Sequence, residues 1–120
     1  MEELKFVRCS ETKNVSEVLY VADGAGLELL KANSTDAAGE KHVPVVSQDG
    51  NVVKVVVGSV EHPMTEEHYI PFIVVQTDKR VLRKDLTPQD EPKASFVLED
   101  GEKFVRAYEY CNLHGLWKAE

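Results

Sequence analysis

The chain has 120 residues, with 14 Lys and Arg against 21 Asp and Glu, giving a formal net charge of −7. That length holds one sizeable hydrophobic core with at most a small appendage, and a composition 42% hydrophobic and 29% charged excludes a disordered or fibrous chain. The acidic balance speaks against a nucleic-acid partner, which calls for concentrated Lys and Arg. No apolar run approaches the roughly 20 residues that cross a bilayer, and Met1-Glu2-Glu3-Leu4-Lys5 lacks a basic and then apolar leader. A cytoplasmic protein with no membrane partner is expected. The two cysteines, Cys9 and Cys111, do not make a disulfide framework.

The first 35 residues offer three short β-prone segments, Leu4 to Val7, Glu17 to Val21 and Leu27 to Leu30, with a glycine-rich turn at Asp23-Gly24-Ala25-Gly26. A segment of that size does not fold alone without a staple, so it is expected to pack on another surface of the chain or of a second copy. Asn33-Ser34-Thr35-Asp36 reads as a polar linker, dividing the chain into 1–35 and 36–120. Single helical turns are expected at Asp36-Ala37-Ala38 and Thr65-Glu66-Glu67. Val43 to Val46 and Val52 to Val57, around the turn signal Asp49-Gly50-Asn51, predict a hairpin closed by Gly58. Ile70 to Thr77, Ala94 to Leu98 and Phe104 to Tyr110 complete the strands, the last two joined by Asp100-Gly101. Short strands with turns between them predict an all-β antiparallel sandwich or barrel.

All four histidines fall after residue 40, each beside a predicted strand end or loop: His42, then His62 and His68, then His114 three residues after Cys111. Taken singly, each is ordinarily a surface or hydrogen-bonded side chain, and Cys111 a small buried hydrophobe. Together they are too many donors for closed tetrahedral zinc and suit a five-coordinate iron with an open position. The Cys-x-x-His step at a strand end, followed by Gly115, is a compact two-ligand turn.

Glu40-Lys41-His42-Val43-Pro44-Val45, the run Val57-Gly58-Ser59-Val60-Glu61-His62-Pro63-Met64 with Thr65-Glu66-Glu67-His68-Tyr69-Ile70, and Ala107-Tyr108-Glu109-Tyr110-Cys111-Asn112-Leu113-His114-Gly115-Leu116-Trp117-Lys118 closely resemble the superoxide reductases, the desulfoferrodoxin and neelaredoxin family. The resemblance covers residues 36–120. It implies an immunoglobulin-like antiparallel β-sandwich carrying one mononuclear non-haem iron, with His42, His62, His68 and His114 in the equatorial plane and the Cys111 thiolate axial. It further implies that superoxide is reduced to hydrogen peroxide, that Lys41 draws in the anion and helps supply a proton, and that Glu40 takes the sixth position in the oxidised state. Rubredoxin or a similar small carrier would return the electron. Pro44 and Pro63 then rigidify the ligand loops, Trp117 and Tyr108 are core or interface aromatics, and Asn112, Leu113 and their backbone donate to the Cys111 sulfur.

Many members carry an N-terminal four-cysteine iron site. Here Cys9-Ser10-Glu11-Thr12 resembles its first pair with Thr12 in place of the second cysteine, and the later pair is missing, so a metal-free N-terminal segment is expected, with Cys9 a remnant or packed thiol. Without its staple that segment points to a homo-oligomer, a dimer or tetramer. Two other classes share some of these features. A copper- or iron-binding electron-transfer sandwich without catalysis leaves two histidines unexplained in its blue-copper form. An immunoglobulin-like interaction module lacks the expected bridge and the tryptophan between its cysteines, since Trp117 follows Cys111.

Overall fold

A computed structural model of the chain describes residues 1–20 and 26–120, so the expected turn at Asp23-Gly24-Ala25-Gly26 lies, except for Gly26, outside the described residues. Its contacts divide the chain into two compact units, Met1–Lys31 and Ala32–Glu120. The first is a three-stranded antiparallel sheet in which β1 (Phe6–Cys9) lies between β2 (Val15–Glu17) and β3 (Leu27–Leu29). The second strand forms earlier than the expected Glu17 to Val21. Lys13 takes a left-handed φ of 64° and its N–H donates to the Cys9 carbonyl, which reverses the chain and sets Glu17 opposite Phe6. Pairing ends where the Val18 N–H meets the Lys5 carbonyl, and Leu19 and Tyr20 are 88% and 89% exposed.

The second unit begins with a single helical turn, α1 (Gly39–His42), three residues beyond the Asp36-Ala37-Ala38 turn that the sequence suggested. Seven strands follow: β4 (Pro44–Asp49), β5 (Val52–Val57), β6 (Phe72–Thr77), β7 (Val81–Asp85), β8 (Lys93–Val97), β9 (Phe104–Cys111) and β10 (Gly115–Ala119). They make one sheet of order β10-β9-β6-β7 and another of order β4-β5-β8, all pairs antiparallel. This is the expected immunoglobulin-like sandwich. In β5 the inner residues Val53, Val55 and Val57 are fully buried while Lys54 and Val56 face outward. They meet Ala94 and Phe96 of β8 and, across the gap, Ile73 and Val75 of β6 and Ala107 and Cys111 of β9. β7 and β10 were not foreseen. β7 is largely exposed, held by its ladder to β6 and by half-buried Leu82, which packs against the core.

One end of the sandwich is closed by a polar latch. The Glu102 carboxylate accepts from Arg80 Nε at 2.9 Å and Nη2 at 2.6 Å, from the Thr77 hydroxyl and from the Glu99 amide at 2.8 Å. The Arg80 guanidinium holds its pKa down at about 2. Register places this latch at the Thr77 and Phe104 end of β6 and β9, and the opposite end of both sheets carries the histidines. Among the described residues, no helix is long and apolar enough to cross a membrane.

Candidate metal centre

Strand direction gathers the three ligand clusters. His42 ends α1 just before β4, His62 follows β5, His68 precedes β6, Cys111 ends β9, and His114 lies in the turn to β10. Gly115 opens β10 at φ 81°, the left-handed conformation that favours glycine, and a Cβ there would also push on Thr35 Oγ1, 2.9 Å away. The Thr65-Glu66-Glu67 segment is not helical. It is a bend in which the Thr65 N–H donates to the His68 carbonyl at 2.9 Å and the His68 N–H returns to the Thr65 carbonyl at 3.2 Å.

The four imidazoles form a closed ring. Centroids of successive rings lie 4.8 Å apart for His42 and His62, 4.5 Å for His62 and His68, 5.1 Å for His68 and His114, and 4.8 Å for His114 and His42. Each successive pair stands edge to face, at 76° to 86°. The His42 to His68 diagonal is 6.4 Å. Half of it is close to a metal–nitrogen bond of about 2.1 Å plus the ring's own radius.

His42, His62, His68 and Cys111 each offer an atom within 4.8 Å of all the others. His114 joins them through Nδ1, 3.1 Å from His42 Nε2 and 3.8 Å from Cys111 Sγ. Two neighbouring nitrogens bound to one metal would stand about 3 Å apart.

Hydrogen bonds aim these atoms. His42 Nδ1 meets the Ala38 carbonyl at 2.8 Å and His62 Nδ1 the Pro63 carbonyl at 2.7 Å. A carbonyl only accepts, so each Nδ1 carries the proton and each Nε2 presents a lone pair. The Nε2 atoms of His62 and His68 are buried without a hydrogen-bond partner, a costly arrangement that a metal ion would relieve. Burial holds the His62 pKa down at about 4 and lowers those of His42 and His68, keeping the rings neutral and available near pH 7. Burial raises the Cys111 thiol, against hydrogen bonds from the Leu113 and His114 amides, so a cation is what would favour its thiolate. Four imidazoles around one buried sulfur fit a mononuclear iron better than zinc or blue copper.

Lys41 and Glu40 are exposed on α1. The Lys41 charge bears on His42 and His68, and that of Glu40 on His42. Their shared peptide is pinned from below. The Val60 N–H donates to the Glu40 carbonyl at 2.8 Å, the Ser59 hydroxyl does so at 3.3 Å, and buried Gly58 lies flat against it. A Cβ on Gly58 would overlap the Glu40 oxygen and stand 2.7 Å and 2.9 Å from the carbonyl carbon and Cα of Lys41.

Three supporting residues escaped sequence reasoning or received another role. Gly58, read only as a strand stop, is this seat for α1. Trp117 stacks on His42 at 4.9 Å and donates from Nε1 to the His114 carbonyl at 3.0 Å, touching two of the ring-forming residues. Asn112 spends its side chain on the His68 loop and not on the Cys111 sulfur. Glu109 is buried two residues before Cys111 with neither oxygen hydrogen-bonded, and burial pushes its carboxyl well above the usual range.

The sequence model of the family described as desulfoferrodoxin matches residues 34–120. The chain belongs to the desulfoferrodoxin family. A desulfoferrodoxin homolog of Archaeoglobus fulgidus is 44% identical over 98% of both chains. A superoxide reductase of Pyrococcus horikoshii is 38% identical, covering 72% of this chain and 90% of its own. Among solved structures, the superoxide reductase from Treponema pallidum superposes with a TM-score of 0.83 at 38% identity, covering 99% of this chain and 100% of that one.

Proposed function

We propose that this desulfoferrodoxin-family chain is a superoxide reductase, holding one iron through His42, His62, His68, His114 and Cys111 and converting superoxide, one electron and two protons into hydrogen peroxide. The observation that carries the reading is the closed ring of four imidazoles beside one buried thiol, with unpartnered nitrogens turned inward. The family match and the superoxide reductases among its relatives support it. The bound iron supplies the electron by passing from the ferrous to the ferric state.

This chain's residues do the rest. Cys111, as thiolate, offsets the cation's charge inside the sandwich, with the Leu113 and His114 amides steadying the sulfur. Lys41 draws an anion toward a molecule of net charge −7 and relays a proton through water. Glu40, exposed on the same turn with its charge bearing on His42, is the carboxylate that would be available to oxidised iron held there. A small carrier such as rubredoxin returns the electron. The N-terminal unit holds no metal, because a four-thiolate site needs four cysteines and Cys9 is the only one before residue 111. A second copy of the chain covers its exposed Leu19, Tyr20, Leu27 and Leu29, making a homo-oligomer.

Mixing the anaerobically reduced iron protein with superoxide tests this reading. One hydrogen peroxide per superoxide consumed, with equivalent oxidation of iron and no dioxygen released, is the expected outcome. Dioxygen evolution in the proportion of a dismutation would overturn it.

A further inference from the structure

Of the four imidazoles, His68 has the least support. His42 and His62 are each anchored by a ring nitrogen on a carbonyl, and His114 sits in the two-ligand turn with its carbonyl held by the Trp117 indole N–H. His68 Nε2 is buried and unpartnered, so the aim of the ring depends on how its backbone is held. That backbone is clasped by a residue of a different loop. Asn112 Nδ2 donates to the Glu67 carbonyl at 3.0 Å, its Oδ1 accepts from the Tyr69 N–H at 3.0 Å, and its own N–H donates to the Tyr69 carbonyl at 3.3 Å. One side chain thus grips the residue before His68 and the residue after it. Asn112 also follows Cys111 directly, so the clasp fixes the distance between the sulfur turn and the opposing imidazole loop.

We infer that Asn112 is the positioning residue for His68, setting that imidazole's place in the ligand ring relative to Cys111. Only an amide fits all of the role, since the Glu67 carbonyl needs a donor and the Tyr69 amide an acceptor from one planar group. The inference rests on the proposed metal centre and goes beyond it by assigning a role to a residue that touches no metal.

The test is a double-mutant cycle on ferrous iron affinity, read by competition with a chelator, using the wild type, Asn112→Ala, His68→Ala and the double variant. His68→Ala leaves His42, His62, His114 and Cys111, enough donors to hold a metal. Asn112→Ala is expected to weaken iron binding about tenfold, and to add nothing in the His68→Ala background. Equal losses in both backgrounds, or no loss in the first, would overturn the inference. A second readout uses the metal-free protein: Asn112→Ala speeds hydrogen exchange of the Tyr69 amide, and Asn112→Asp, which keeps the acceptor, restores its protection. Tyr69 exchange that ignores both substitutions also overturns it. A wild-type chain unable to hold ferrous iron would fail the proposed function itself, and the inference with it.

Discussion

Gly58→Ala is the smallest change that tests how the end of the sandwich is built. The φ of Gly58 is not among the positive ones, so alanine meets no conformational penalty and the whole effect is steric. The added methyl would stand within 2.9 Å of the Lys41 Cα and 2.7 Å of its carbonyl carbon, and closer still to the Glu40 oxygen. These are backbone atoms, so no side chain can swing aside. Relief requires α1 to move by something like half an ångström to an ångström, which strains the Val60 and Ser59 hydrogen bonds to Glu40. Overpacking typically costs about 1–3 kcal/mol, and the two strained bonds together add about 1 kcal/mol, for a total of about 2–4 kcal/mol. In a domain of this size that is a fall in Tm of roughly 10–20 °C. Because His42 directly follows Lys41, iron retention is expected to fall as well. Thermal unfolding of the metal-free protein and iron retention of the loaded protein measure the two effects. A Gly58→Ala variant that melts with the wild type and keeps its iron would refute the claim that Gly58 seats α1.

Lys41→Ala is expected to slow the encounter with superoxide about tenfold and flatten its ionic-strength dependence while iron stays bound; rapid mixing at several salt concentrations reads both. Trp117→Phe keeps a ring over His42 but loses the bond to the His114 carbonyl, so it is expected to cost about 1 kcal/mol in urea unfolding and to loosen iron about tenfold. Glu102 has its folded pKa lowered to about 2, below its unfolded value of about 4.3, so its stabilisation is full above pH 4.3 and fades as pH falls toward 2. Glu102→Gln is therefore less stable than wild type at pH 7, and the unfolding midpoints of the metal-free proteins converge in acid. Glu109 has the opposite sign: burial raises its folded pKa above the unfolded value, so stability falls as pH rises from the unfolded value through the folded one. Glu109→Gln removes that slope, making the metal-free variant the more stable of the two in alkaline solution.

The sandwich was legible where pattern and punctuation agreed. Val52 to Val57 matches β5 to the residue, between the Gly50 turn and Gly58. Lys54 alone interrupts that run of valines and marks its outward parity, which the pairing with β4 and β8 realises by turning Val53, Val55 and Val57 inward. β7 was invisible: Val81-Leu82-Arg83-Lys84-Asp85 is an edge strand stabilised by its ladder, without an alternating apolar face. The five donor residues stand out in the sequence because they are the whole histidine complement and one of two cysteines. Their supports do not. Gly58 looks like any turn glycine, Asn112 like any loop amide and Trp117 like any core aromatic, and each takes its role from a contact across the fold that local spacing does not encode.

The proposed function stands on one iron bound by four imidazoles and a thiolate. It is met most directly by metal analysis of the purified protein together with the visible spectrum of its oxidised form and of Cys111→Ser. About one iron per chain is expected, with a thiolate-to-iron charge-transfer band that vanishes in Cys111→Ser. Copper or zinc filling the site in place of iron, or a band that survives the loss of the sulfur, would contradict it.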